Sequence, residues 1–324
     1  MGLIKKPSEL EVKKTISLMI YGQPGIGKTT LGCSAPNAVL FDYDGGVGRI
    51  NGAHRVPTLQ VASWEQTDEA IKEIKEELPE TQTIVIDTVG KMLDYMSDYI
   101  VRTDPKMQQR DGSLSLKGYG VRKNMFVNFV KKVSMLGMNV VFIAHEREDR
   151  RQENGQDKVV KRPEVGGSSA NDLIKELDLV GYMQAIGKKR TITFDIDECY
   201  YAKNTCNLPK DMVIPVNVDD KGEAAGANDF LCTIIDKYEE AQKKNIAKTG
   251  EYEKLVDRLK KEVAGIKSAE QANAFMEVLK QMDAKKEHIY NSRLIVREAF
   301  SERVKELNLT FNKEKSCYEP AQAA

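Results

Sequence analysis

The residues Gly22-Gln23-Pro24-Gly25-Ile26-Gly27-Lys28-Thr29 constrain this chain more than any other feature. They satisfy GxxxxGK[ST] at every fixed position, after an apolar strand-like run from Thr15 to Tyr21 and before a helical segment starting near Lys28. Strand, glycine-rich turn and helix in this order make a loop whose backbone N–H groups converge on polyphosphate oxygens. Glycine permits that approach because it carries no Cβ. The positive end of the following helix favours an anion in the same place. Gly22 through Thr30 are therefore the expected phosphate-binding residues. Lys28 is placed to reach the β- and γ-phosphates, and the Thr29 hydroxyl is a magnesium ligand. The expected ligands are ATP and Mg2+.

The rest of the first two thirds of the chain alternates strands with helices. Ala38 to Phe41, Thr83 to Ile86 and Asn139 to Ala144 read as short buried strands. Gln66 to Leu78, about Lys91 to Ile100 and Gly120 to Leu136 read as helices. That alternation predicts an α/β fold with a mainly parallel sheet covered on both faces. Residues 147 to 164 lack apolar periodicity and read as a mobile loop or long hairpin tip. Helical spacing returns over Asp172 to Leu177, and Leu179 to Ile186 and Arg190 to Ile196 form two further strands around Gly187. The expected organisation is a nucleotide-binding domain over 1–220, a small polar linker at 221–228, and charged helices over 229–312 with breaks near Gly250, Gly265 and Met282. A disordered tail is expected over 313–324.

Three polar residues end the predicted strands, at the edge where ligands bind in parallel sheets. Asp87 closes TIVID and suits a water-mediated magnesium contact beside Thr29, or a cap on the next helix. Asp44, just past AVLFD, is a candidate catalytic base that would orient or deprotonate water; a turn aspartate before Gly45-Gly46 is the alternative. His145 closes VVFIA and is a candidate γ-phosphate sensor, or an exposed polar strand end.

Together the glycine-rich loop, FDYD, IVIDT, FIAHE and Gly166-Gly167 resemble the RecA-like recombinase core, over roughly residues 10 to 216. More closely, they look like the phage nucleotide-binding proteins of the Sak single-strand annealing group. The resemblance implies a catalytic carboxylate at Asp44, where that branch keeps glutamate. ATPases of the AAA+ kind place theirs after the strand-ending aspartate, where this chain has Thr88. It implies a sensor at His145 and a basic finger at Lys203 inserted into a neighbour's site, with Thr205 replacing the helicase arginine. It further implies mobile DNA-binding loops holding Arg102, Lys117 and Arg122, and Arg147, Arg150, Arg151, Lys161 and Arg162.

Charge qualifies the DNA reading. The 49 basic and 49 acidic residues cancel, so affinity for nucleic acid must come from local patches. Residues 101–123 carry six basic against two acidic residues, and residues 147–162 six against four. Tyr119 is available to stack on a base or to pack under the next helix. The expected function is a DNA-stimulated ATPase of phage or mobile-element recombination, forming homo-oligomers on single-stranded DNA. A loader or switch that docks a protein partner through the C-terminal helices is the alternative, and a small-molecule kinase is a third. Five scattered cysteines without a CxxC pair argue against a zinc site or a disulfide framework. With no apolar run near membrane-spanning length, no membrane partner and a cytoplasmic location are expected.

Overall fold

A computed structural model describes residues 4–10, 14–153, 156–166, 174–187, 189–219 and 221–321. The chain divides into two compact units, Lys13–Ala241 and Met1–Val12 together with Gln242–Ala324.

The larger unit is built on a mixed, mostly parallel sheet. Its strands are β1 (Ser17–Gly22), β2 (Ala38–Asp42), β3 (Thr58–Gln60), β4 (Thr83–Asp87), β5 (Asn139–Glu153), β6 (Gln156–Pro163), β7 (Leu179–Ile186), β8 (Lys189–Thr193) and β9 (Asp211–Ile214). They run in the order β3-β2-β4-β5-β1-β7-β8-β9, with β6 paired to β5 outside that path. Pairings from β3 through β7 are parallel, while β7–β8, β8–β9 and β5–β6 are antiparallel.

Successive residues of the central strands face opposite sides, and both sides are apolar. Met19, Tyr21, Ile84, Ile86, Val140 and Phe142 join the core over one face. That face is covered by α2 (Trp64–Glu77), α3 (Val89–Thr103) and α4 (Leu116–Met135). Leu18, Ile20, Val85, Val141 and Ile143 join the other, covered by α1 (Lys28–Gly32) and by Leu231, Ile234, Ile235 and Tyr238 of α5 (Phe230–Ala264). Being buried on both faces explains why these strands read as unbroken hydrophobic runs.

The smaller unit contains α6 (Ala269–Lys285), α7 (Ser292–Glu306) and a hairpin of β10 (Leu309–Asn312) and β11 (Cys317–Pro320). Its core holds Leu259, Val263, Phe275, Leu279, Val296 and Phe300. Asn273 and Tyr318 exchange hydrogen bonds of 3.0 and 2.7 Å, fixing β11 to α6.

Several expectations need correction. The segment 221–228 is no free linker. Asp219 accepts the backbone N–H groups of Lys221 and Glu223, Asn51 donates to Gly222 O, and Asn228 donates to Thr30 O. Side-chain hydrogen bonds thus fold a small, polar stretch that composition alone marks as loose. The division falls after Ala241, so the first turns of α5 belong to the sheet unit. Gly250 lies inside α5 without a break. Residues 313–321, expected to be disordered, include β11 and its turn. Of the two readings of 147–164, a mobile loop or a long hairpin tip, the hairpin is the one found, and its registered rows carry charges of both signs, including Glu148 opposite Lys161. The helical segment expected at Asp172 to Leu177 lies partly outside the described residues.

Candidate functional site

The sheet order brings the strand tips together. Register sets Gly22 beside His145, Asp42 beside Asp87, and Asp87 beside Ile143, so β5 separates the glycine-rich loop strand from the aspartate strand. Gly22 is required by packing: a Cβ there would meet Met183 O at 2.5 Å. Gly27 is required by conformation, because it starts α1 with φ at 99°, where an L side chain is strained. Helix α1 runs only five residues, so its dipole is small and the loop's N–H groups carry most of the attraction for an anion.

Lys28 is 5% exposed, and its Nζ donates to Gly22 O at 2.9 Å and Gln23 O at 2.8 Å. Burial lowers its pKa, against the opposing influence of Asp87, Glu146 and Asp44. Asp87 is also 5% exposed, and burial raises its pKa, countered mainly by the Thr29 hydroxyl. That hydroxyl donates to Asp87 Oδ2 at 2.6 Å. The helix cap is Thr88, whose Oγ1 accepts from Lys91 N at 3.5 Å, so the capping alternative for Asp87 falls.

A hydroxyl and a carboxylate side by side are the hard oxygen donors that Mg2+ takes, and the pair fits that ion. Among the described residues no group of three or more His, Cys, Asp or Glu could hold a metal alone. A magnesium ion here would complete its shell with phosphate and water.

Asp42 supplies the turn role considered for Asp44. It is 2% exposed and accepts the N–H groups of Asp44, Gly46 and Val47 at 3.2, 2.9 and 2.9 Å. Asp44, half-buried, faces a cavity of about 190 Å³ with Pro24, Lys28, Thr29, Asp87 and His145. The buried Nδ1 of His145 has no hydrogen-bond partner among the described residues. Arg49 also lines this cavity, and the sequence reading missed it. Only the folding of residues 42–55 carries it there, and no motif marks it.

A second cavity, of about 110 Å³, shares Gly27 and Thr30 with the first. Met183, Arg190, Ile214, Asn217 and Asn228 line it. Strand β9, which supplies Ile214, was not legible from the sequence, nor was the placement of Arg190.

Three tyrosines meet ring to ring at the end of β1. Tyr21 stacks on Tyr182 at 4.9 Å, and Tyr182 lies 5.0 Å from Tyr200. The Tyr21 hydroxyl donates to Tyr201 O at 2.7 Å and accepts from Tyr201 N at 3.0 Å. The Tyr182 hydroxyl donates to Glu146 at 3.0 Å, and burial with that carboxylate pushes its pKa up to about 12. The end of β1 and the root of the β5–β6 hairpin are thus linked, since the Tyr21 hydroxyl also lies 3.2 Å from Lys161 O and Lys161 pairs with Glu146.

The remaining candidates scatter. The Lys203 ammonium donates to Lys175 O at 3.0 Å and to Leu177 O, so its own chain holds the expected finger. Arg122 is 5% exposed, donates to Ser97 Oγ and Gly166 O, and lies over the Tyr119 ring at 4.9 Å. It is an interior arginine engaged within its own chain, and Tyr119 is engaged by the same stacking. Arg102 pairs with Glu65. Lys161 pairs with Glu146 and Glu148 at 2.7 and 3.2 Å, while Arg147 and Arg162 share Asp149 at 3.2 and 3.3 Å. Lys117 and Arg150 are exposed. The side chain of Arg151 and the residue Gly167 lie outside the described residues.

Among the described residues no helix is long and apolar enough to cross a membrane. The chain is 22% identical over 260 residues to an SPbeta prophage-derived uncharacterized protein, YorG, of Bacillus subtilis strain 168, covering 75% of this chain and 77% of that one. A family model described as an AAA domain matches residues 14–206. With the glycine-rich loop, the strand-ending aspartate and the parallel sheet in place, this chain belongs to that AAA-domain family and carries its nucleotide-binding domain.

Proposed function

We propose that this chain binds ATP with Mg2+, hydrolyses it, and uses the cycle to act on single-stranded DNA during recombination or annealing of a phage or mobile element. The observation that carries the nucleotide reading is the buried Lys28 set beside the Thr29–Asp87 contact of 2.6 Å, where the ends of β1 and β4 flank that of β5. A buried ammonium with a lowered pKa and a buried carboxylate with a raised one are each short of opposite charge. A polyphosphate offsets the first and a divalent cation the second.

In this reading the loop amides and Lys28 hold the phosphates, and Thr29 and Asp87 would hold the metal, which would neutralise charge on the phosphates. Asp44 accepts the proton of the attacking water. His145, with an unpartnered buried nitrogen, contacts the γ-phosphate and passes its presence to the hairpin that β5 continues into. The base and ribose occupy the second cavity, which begins where Thr30 ends the loop.

Support for DNA as the target comes from the resemblance to RecA-like recombinases of the Sak type, from the prophage origin of the similar protein, and from exposed Lys117 and Arg150. A second reading, a nucleotide-dependent loader of another protein, is favoured by one observation: several hairpin cations already pair with hairpin acids. ATPase rates with and without single-stranded DNA test the two. Stimulation that fades with salt supports the DNA reading, and rates indifferent to DNA at low salt reject it.

A further inference from the structure

We propose that Arg49 is a catalytic residue of this site: an arginine from the same chain that contacts the terminal phosphate and offsets the charge developing there during hydrolysis. This rests on the ATPase reading above and adds a residue to it.

Four observations lead to Arg49. It lines the 190 Å³ cavity beside Lys28, Thr29, Asp44, Asp87 and His145. Its side chain is exposed, and among the described residues no hydrogen bond or ion pair engages it. Arg102, Arg147, Arg162, Arg293 and Arg297 all pair with carboxylates, whereas Arg49, like Arg190 of the neighbouring cavity, has no carboxylate partner among the described residues.

The backbone around it is held from both sides. Asp42 gathers the N–H groups of Asp44, Gly46 and Val47, and Arg49 N donates to Gly46 O at 2.9 Å. On the other side Arg55 donates to Gly48 O and Ile50 O, each at 3.1 Å, bracketing residue 49. Ile50 is buried in the core. A turn fixed by two charged side chains presents one unengaged guanidinium to the cavity. The fourth observation concerns the expected finger. The Lys203 ammonium is bound to carbonyls of its own chain, leaving the transferring phosphate without that cation.

The chemistry suits a guanidinium. It keeps its charge, and its planar fork matches two phosphate oxygens at once. As the water oxygen bonds to the γ-phosphorus, the bond to the β–γ bridging oxygen breaks and its electron pair leaves with ADP. Asp44 takes the water proton. Negative charge grows on the oxygens around the γ-phosphorus and on the bridge, where a cation lowers the barrier.

The test is steady-state ATPase with full-length Arg49→Ala and Arg49→Lys, together with binding of ADP to each. The expected result is a fall in kcat of about 10³-fold for Arg49→Ala, with KM and ADP affinity within about twofold of wild type. Arg49→Lys recovers part of the rate. Mixing Arg49→Ala with Lys28→Ala restores no activity, because each site needs both residues in one chain; recovery on mixing would place Arg49 in a neighbour's site and overturn the cis assignment. A kcat within threefold of wild type overturns the role and leaves the ATPase reading standing. Loss of ADP binding in Arg49→Ala also overturns it, by showing a general binding or structural role. A wild-type protein that binds ATP without turning it over overturns both readings.

Discussion

The phosphate loop and the β5–β6 hairpin both carry the positive charge expected of an anion site, and they treat it in opposite ways. In the loop, Lys28 is buried among carbonyls with a lowered pKa, and Arg49 beside it has no carboxylate partner among the described residues. In the hairpin, Lys161 lies between Glu146 and Glu148, its pKa is raised by those acids, and Asp149 takes both Arg147 and Arg162. The lesson is that counting basic residues does not locate an anion site. Cations already matched to acids have little left to offer a phosphate, whereas an under-compensated one gains much from it.

The strongest way to break this contrast is Lys28→Ala. It should weaken ATP binding by about 3 kcal/mol or more, near the middle of what truncating a buried charged contact costs. The sheet should stay intact by circular dichroism, and ATP should no longer raise the melting temperature. ATP affinity equal to wild type by calorimetry would remove the site altogether.

Asp87→Asn sharpens it. The change removes a buried charge while keeping an acceptor for Thr29, so the nucleotide-free protein should gain about 1 kcal/mol in urea unfolding. The same variant should lose the dependence of nucleotide affinity on Mg2+. A variant that is both less stable and still magnesium-dependent would contradict the assignment.

pH should act on the same pair. The raised pKa of Asp87 means that its contribution to stability is complete below the usual carboxylate value of 3.8 and is lost as pH rises through the folded value. The lowered pKa of Lys28 means that its contribution is complete above 10.5 and is lost as pH falls through the folded value. In both groups burial disfavours the charged form in the free protein. Magnesium–ATP binding reverses the signs. Affinity should weaken at low pH as Asp87 takes up a proton and again at high pH as Lys28 loses one. A flat affinity profile across both limbs would refute this.

In the hairpin the expected effects are smaller. Glu148→Gln with Asp149→Asn frees Lys161, Arg147 and Arg162 in part, at about 0.5 kcal/mol of stability per partly exposed pair. Affinity for single-stranded DNA should rise and its salt dependence should steepen by one or two phosphate contacts, about 0.7 in slope for each. No change in DNA binding by gel shift would favour the protein-directed reading. The smallest effect belongs to Lys203→Ala, which removes hydrogen bonds to Lys175 O and Leu177 O and should cost about 1 kcal/mol without lowering kcat. A large fall in kcat there would restore the finger.

Much of the fold was legible where local rules suffice. The buried strands β1, β2, β4 and β7 showed as apolar runs, and α2 as an amphipathic period. Strands β3 and β9 were missed because each is short and half-exposed, and their pairing depends on a partner distant in sequence. Segment 147–164 could be read as a loop or a hairpin tip because its charged residues leave no apolar alternation, and only the cross-strand register selects the hairpin. Asp42 and Asp44 could not be told apart in AVLFDYD, since only the turn decides which carboxylate faces inward.

By itself the chain's sequence determined the phosphate loop, the strand-ending Asp87 and the α/β alternation, because these rest on contacts within a few residues. Tertiary structure alone decided which charges remain available: Arg122 went to the interior, Lys203 to its own carbonyls, the hairpin cations to neighbouring acids, and Arg49 to the cavity. The physical reason is that a charge acts over distances in space, and its neighbours there come from strands and turns far apart along the chain.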